Sequence, residues 1–264
     1  MTPEPSSHPE PVEGSDDALP STSASVTGDD PDPNLEFSRA RPTRQFALLA
    51  AHYGKMHSEG YEIDDGGTRR SLPPEEAFPG NELPKFIEPI KGLIVEHGAR
   101  TVLDYGSGKG RQYHPARVTQ KEKDGTETVF ESIQAYWGVD HIRCYDPGVP
   151  GFATLPEAPL DGVVCTDVLE HCYAGDVPWI VRDLFRLSTQ FVFANIACYP
   201  AKALLPNGEN AHCTQRHPEW WDGLFTAMAN EFGGRDYLLC CVAPAKAEDG
   251  TTGLKPFWLR KAKY

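Results

Sequence analysis

The sequence predicts an α/β protein with a mostly parallel sheet and helices on both faces, and three observations predict it. Residues 101–110, TVLDYGSGKG, are a β-branched and aliphatic run that ends in an acid and passes into glycines at alternate positions, the pattern of a strand entering a tight loop. Two further apolar runs, DGVVCTD (161–167) and FVFANI (191–196), are short and continuous, as strands buried on both faces are. Between them Val177, Ile180, Val181, Leu184 and Phe185 recur at helical spacing over 176–187, and strands alternating with helices build parallel sheets.

Composition sets the frame for these elements. A chain of 264 residues, 39% hydrophobic, suffices for one large α/β domain with an appendage. Its longest apolar stretches, such as Phe191 to Ala197, are too short to span a bilayer, and no basic and apolar leader opens it, so a soluble cytoplasmic protein is expected. Seven cysteines without paired C-x-x-C spacing read as reduced, mostly buried thiols. Cys240 and Cys241 are adjacent in an apparent strand and so point to opposite faces. Residues 1–40 hold nine acids and one base, Arg39, which leaves −5 of the net −13 for the rest. A body still acidic is a poor partner for a phosphate backbone, so nucleic acid is disfavoured.

In chain order, residues 1–34 are rich in Pro, Ser and acids with almost no large apolar side chains; they cannot offset their ordering entropy, and a disordered tail is expected. Residues 35–98 are expected to form a helical cap. In it Phe46, Leu49, Ala50, Tyr53 and Met56 give one amphipathic helix over 42–57. Residues 58–80, interrupted by Gly66-Gly67, Pro73-Pro74 and Pro79-Gly80, read as irregular. A second helix runs from Pro84 to His97 with Gly98 as its stop. Residues 99–264 form the core. After Gly110 a helix is expected, although Pro115 soon breaks it, and 120–128 read as an exposed insertion. The second strand is 142–145. The fourth and fifth are the two apolar runs above, and a helix over 218–232 opens with Trp220 and Trp221, at least one of which belongs to the core. Strands 237–242 and 256–259 close the chain as an antiparallel edge pair.

The glycine spacing carries the functional reading. It is G-x-G-x-G, with Arg111 where a dinucleotide fingerprint would place its last glycine, and this disfavours a nucleotide-binding oxidoreductase. TVLDYGSGKG resembles motif I of the class I S-adenosylmethionine (SAM) dependent methyltransferases, a Rossmann-like fold built on a seven-stranded-type sheet. The resemblance implies a cofactor site at Asp104, Tyr105, Gly106, Ser107, Gly108 and Gly110, holding the amino-acid end of SAM. It implies a ribose acid at the end of the second strand, Asp146 in CYDPG, with Asp140 in WGVD as competitor. Only fifteen steps separate Asp146 from Asp161, and GVPGFATLPEAP is too proline-rich for the family's next helix. The third strand is therefore short or missing, and the adenine contact falls to Thr166 or Asp167. Tyr53, His57 and Phe78 are pocket candidates from the segment before motif I.

The acceptor end rests on Asp167, Glu170 and His171. This D-x-x-E-H cluster is similar to the E-x-x-E-H segment of ubiquinone-biosynthesis O-methyltransferases and of the enzymes that 2′-O-methylate small-RNA ends. In the latter, two carboxylates and two histidines bind a divalent cation. The resemblance implies a metal set of Asp167, Glu170, His171 and His212, suited to Mg²⁺ or Mn²⁺. Related LEH segments serve methyltransferases that use no metal, and then His171 or His212 is a general base, with Asp167 beside it. The loop 197–216, with Asn195, Tyr199, Asn207, Glu209, Asn210 and Arg216, has the side chains of a recognition loop for hydroxyl-rich or charged small molecules. PNGENAHCTQRHPEWW resembles uncharacterised bacterial and phage methyltransferases, some of them associated with surface-polysaccharide genes. The expected activity is methyl transfer to a small-molecule hydroxyl. A non-catalytic SAM-binding protein and a metal-dependent RNA 2′-O-methyltransferase are the alternatives. The sequence leaves the oligomeric state open.

Overall fold

The computed structural model describes residues 37–260 except 79, 115, 116, 122, 123, 248 and 249; the tail expected at 1–34 lies outside the described residues. The chain divides into Met1–Glu36 and one compact unit, Phe37–Tyr264. The described part of the expected cap and the core both lie in the second unit.

The first helix, α1 (Arg44–Glu59), begins at Thr43, whose hydroxyl accepts from the Phe46 amide. Residues 58–80 are not irregular throughout. They contain a hairpin of β1 (Tyr61–Asp65) and β2 (Thr68–Leu72), turned at Gly66 and Gly67, which both have positive φ. The next helix, α2 (Ile87–His97), is stopped by Gly98 in the left-handed conformation. It was expected in the cap but belongs to the core, because Ile90, Leu93 and Ile94 are buried against the sheet.

The central sheet begins with β3 (Thr101–Tyr105). Among the described residues, no α-helix follows Gly110 before residue 133. A single 3-10 turn, Arg111–Tyr113, leads to a hairpin of β4 (Val118–Lys121) and β5 (Glu127–Phe130), so the polar insertion is itself a two-stranded ribbon. A short helix, α3 (Ile133–Trp137), precedes β6 (His141–Tyr145). Residues 146–159 hold one 3-10 turn, Pro150–Phe152, and no strand. Then follow β7 (Leu160–Thr166), α4 (Val177–Arg186), β8 (Ser188–Ala197), α5 (Pro218–Glu231), β9 (Asp236–Lys246) and β10 (Thr252–Arg260).

The sheet has six strands among the described residues rather than seven, in the order β10-β9-β8-β7-β3-β6, and only β10 runs antiparallel to its neighbour. Numbered within the sheet, the parallel part reads 2-1-3-4-5, a doubly wound order that reverses between β3 and β7. Ligands of such sheets bind outside the carboxyl ends of the strands at that reversal. Alternate residues divide between two cores. Leu103, Val163, Val192 and Cys241 face α4 and α5, while Val102, Val164, Phe193 and Cys240 face α2 and α3. Cys240 and Cys241 therefore do point to opposite faces. All seven cysteines are free thiols. Trp221 is buried and Trp220 is exposed. Where the expected helix after Gly110 is absent, a cavity of about 580 Å³ lies against the outer side of β6, lined by Gly110, Tyr113, Cys144 and Phe152 among others. No described helix is long and apolar enough to cross a membrane.

Candidate functional site

Two groups of residues meet at the carboxyl edge of the sheet. The first is the glycine loop after β3. Gly106, Gly108 and Gly110 all have positive φ, which a side chain would strain. They differ in what surrounds them. A Cβ on Gly106 would lie 2.3 Å from a Val168 methyl, so this glycine answers to packing against the next turn. A Cβ on Gly108 would make only an ordinary contact, with the Phe78 Cβ at 3.9 Å. The amides of Gly106 and Ser107 donate to the Tyr145 carbonyl at 2.7 and 3.1 Å, and Ser107 is buried.

Asp146 follows β6 directly and accepts from the Gly108 amide at 2.9 Å and the Gly148 amide at 2.8 Å. Each carboxylate oxygen keeps a free lone pair. Its competitor Asp140 sits at the opposite end of β6, exposed and paired with Arg100, which removes it from the site. Asp104 lies within β3, 1% exposed, and one of its oxygens accepts from Gln112 Nε2 and the Tyr113 hydroxyl, both at 2.9 Å. Burial pushes its carboxyl up to about 6, against the pull of those two donors. The Tyr105 side chain turns away from the loop, toward α4.

A roof covers this loop. Lys109 Nζ donates to the carbonyls of His57 and Pro74, and Arg111 to that of Glu75. The His57 and Phe78 rings meet in a tilted contact at 4.4 Å, and Phe78 is held at φ 50. Buried His57 Nδ1 has no partner. The pocket candidates from the segment before β3 therefore do reach the sheet edge. Nothing in the sequence marked Gln112, Tyr113 or Val168, which act through contacts that close only in three dimensions.

The second group follows β7. Thr166 is its last residue, half-buried, and Asp167 stands at φ 59, an uncommon conformation for a non-glycine residue and one that clusters at functional turns. His171 Nε2 is 3.8 Å from Asp167 Oδ1, and the His171 and His212 rings lie 4.7 Å apart. Ligand atoms of Asp167, His171 and His212 all fall within 4.8 Å of one another.

The tautomers follow from hydrogen bonding. His171 Nδ1 is 2.9 Å from the Ala211 carbonyl, and His212 Nδ1 is 2.5 Å from the Tyr199 carbonyl. A carbonyl only accepts, so both Nδ1 atoms carry hydrogen and both neutral rings leave Nε2 with its lone pair free. The Tyr53 hydroxyl, 2.6 Å from His171 Nδ1, shares that hydrogen. Burial lowers the His171 pKa, but Asp167 outweighs it and the net direction is up. For His212, burial and the neighbouring His171 charge push it down. Asp167 is lowered because His171 and nearby cations outweigh the effect of burial. One histidine is thus poised to hold a proton and the other to stay neutral.

Glu170 departs from the expected metal set. It is fully buried beneath the cluster, where Oε1 accepts from the Ala197 amide at 2.5 Å and Oε2 has no partner. Burial, followed by repulsion from Asp167, pushes its carboxyl up to about 8, so it is protonated near neutral pH and stands as a structural brace. The three remaining donors fit a divalent cation. Each histidine donates Nδ1–H to a backbone carbonyl, as metal-bound imidazoles do, and two imidazoles with one carboxylate suit Mn²⁺ better than Mg²⁺.

The polar side chains of the loop 197–216 are engaged with the loop itself and its neighbours. Asn210 bonds both the amide and the carbonyl of Ala201, Asn207 caps the Glu209 amide, and Glu209 accepts from Tyr173. Asn195 donates to the Cys240 carbonyl, and Arg216 lies over Trp220. These side chains satisfy the loop's own backbone and neighbours; Tyr199 and His212 alone of the group face the cluster. Comparison of the chain with protein-family models, curated proteins and solved structures gives no match.

Proposed function

We propose that the chain is a SAM-dependent methyltransferase that methylates a hydroxyl of a small molecule. The observation that carries this reading is the meeting of the Gly106–Gly110 loop, which leaves β3 beside the reversal in strand order, with Asp146 from the neighbouring β6, near the His171 and His212 pair. SAM supplies an electrophilic methyl on its sulfonium. Asp146 is the acceptor for the ribose hydroxyls, because both of its oxygens keep a lone pair at a strand's carboxyl end. Asp104 is the counter-charge for the amino-acid end, and Gly108, with no side chain, lets that end approach the loop backbone.

At the acceptor, the Asp167 carboxylate favours a proton on His171 while His212 stays neutral, so His212 Nε2 is the atom that takes the proton of a hydroxyl. Most of the acceleration comes from holding donor and acceptor in line, which contributes roughly 7–11 kcal/mol in favourable cases. The fixed tautomers also support a metal-assisted reading, in which Asp167, His171 and His212 hold a divalent cation that lowers the pKa of the hydroxyl.

Incubation of the purified protein with methyl-labelled SAM and a panel of saccharide and phenolic hydroxyl acceptors, with and without EDTA, tests both readings. Label transferred to an acceptor and lost in His212→Ala is the expected result. Loss on chelation with recovery on Mn²⁺ selects the metal-assisted form, and turnover insensitive to EDTA selects the general base. SAM binding without transfer to any acceptor favours the non-catalytic alternative.

A further inference from the structure

We propose that Arg39 is a positioning residue for the glycine loop, an inference that rests on the reading of that loop as the donor site. Arg39 precedes α1 and is the single base among the first forty residues. Its guanidinium bridges three partners across the sheet: Nε to Asp183 Oδ2 at 2.6 Å, Nη1 to the Tyr145 hydroxyl at 2.7 Å, and Nη2 to the Tyr105 hydroxyl at 2.5 Å. It also lies 5.8 Å from the Tyr105 ring centroid, 5.3 Å from that of Tyr145 and 5.5 Å from that of Trp179, within the range of cation–π attraction.

The two tyrosines explain why this matters. They are direct partners in the register of β3 and β6, with ring centroids 4.9 Å apart, and each is the last residue of its strand. The next residues are Gly106 and Asp146. The Tyr145 carbonyl holds the amides of Gly106 and Ser107, and Asp146 holds that of Gly108. One planar cation therefore fixes, through two side chains, the spacing of the two strand tips on which the whole loop hangs. Asp183 in turn is anchored by Arg186, so the clamp is tied to α4. A lysine at 39 supplies one point charge that can pair with Asp183, but it has no fork with which to join both hydroxyls.

Arg39→Lys in the full chain separates this role from a purely structural one. Thermal unfolding should stay within a few degrees of wild type, because the ion pair to Asp183 is kept. Amide hydrogen exchange over residues 105–110, measured without ligand, should accelerate at least tenfold, and SAM affinity measured by calorimetry should fall by a similar factor. Unchanged exchange in the loop, or SAM affinity within twofold of wild type, would overturn the proposal. Failure of the wild-type protein to bind SAM overturns the donor-site reading instead, and the exchange measurement then still decides whether Arg39 clamps the loop.

Discussion

At the scale of the residue, Asp104 is the clearest case of environment setting chemistry. Its carboxyl is held near 6 by burial, above the ordinary value of 3.8, so between about pH 4 and 6 the folded protein keeps a proton that the unfolded chain has released. Stability from this group is therefore greatest below about pH 4. It declines by about 3 kcal/mol as the pH rises to 6, and is level above that. Urea unfolding of wild type and Asp104→Asn across pH 4–7 checks the sign: the variant should lack this decline, and parallel curves would contradict it. A neutral Asp104 is also a poor partner for an ammonium group, so under the proposed function SAM affinity should fall as the pH drops below about 6.

The residue scale also shows what a sequence can reveal of a site. Asp146, Asp167, His171 and His212 were legible because strand ends and motif spacing bring them to one edge. Glu170 belongs to the expected metal set, yet its one-residue offset from His171 turns it onto the Ala197 amide. No spacing rule carries that information.

At the scale of the element, apolar strands and amphipathic helices were read to within a few residues, since their burial is written into their periodicity. The hairpins at 61–72 and 118–130 were not. Of β1 and β2 only Ile63 is buried, and β5 is largely exposed, so neither ribbon has the apolar alternation that marks a strand. The glycine pair at 66 and 67 was read as a break when it is the turn of a hairpin. Inside the sheet, Gly162 is set by packing: a Cβ there would lie 2.2 Å from the ring of Phe191, which is fully buried. Gly162→Ala should destabilise the fold by about 1–3 kcal/mol through overpacking. Equilibrium urea unfolding measures this, and an unchanged midpoint would mean that the Phe191 ring has room to move.

At the scale of the whole molecule, β6 is an edge of the sheet, because no strand forms between β6 and β7, while α1 and the segment after β2 supply the roof over the glycine loop. Elements before the first sheet strand thus complete a site that the sheet only begins: Tyr53 reaches His171, His57 and Phe78 cover the loop, and Arg39 braces the strand tips beneath it. In the proposed function this edge binds SAM through Asp146 and the loop. Titration calorimetry of the full chain with SAM, for wild type and Asp146→Ala, is the test. Saturable one-to-one binding by wild type, weakened at least tenfold in a variant that still unfolds cooperatively, is the predicted result. No binding by the wild-type protein, or equal affinity in the two, would contradict it.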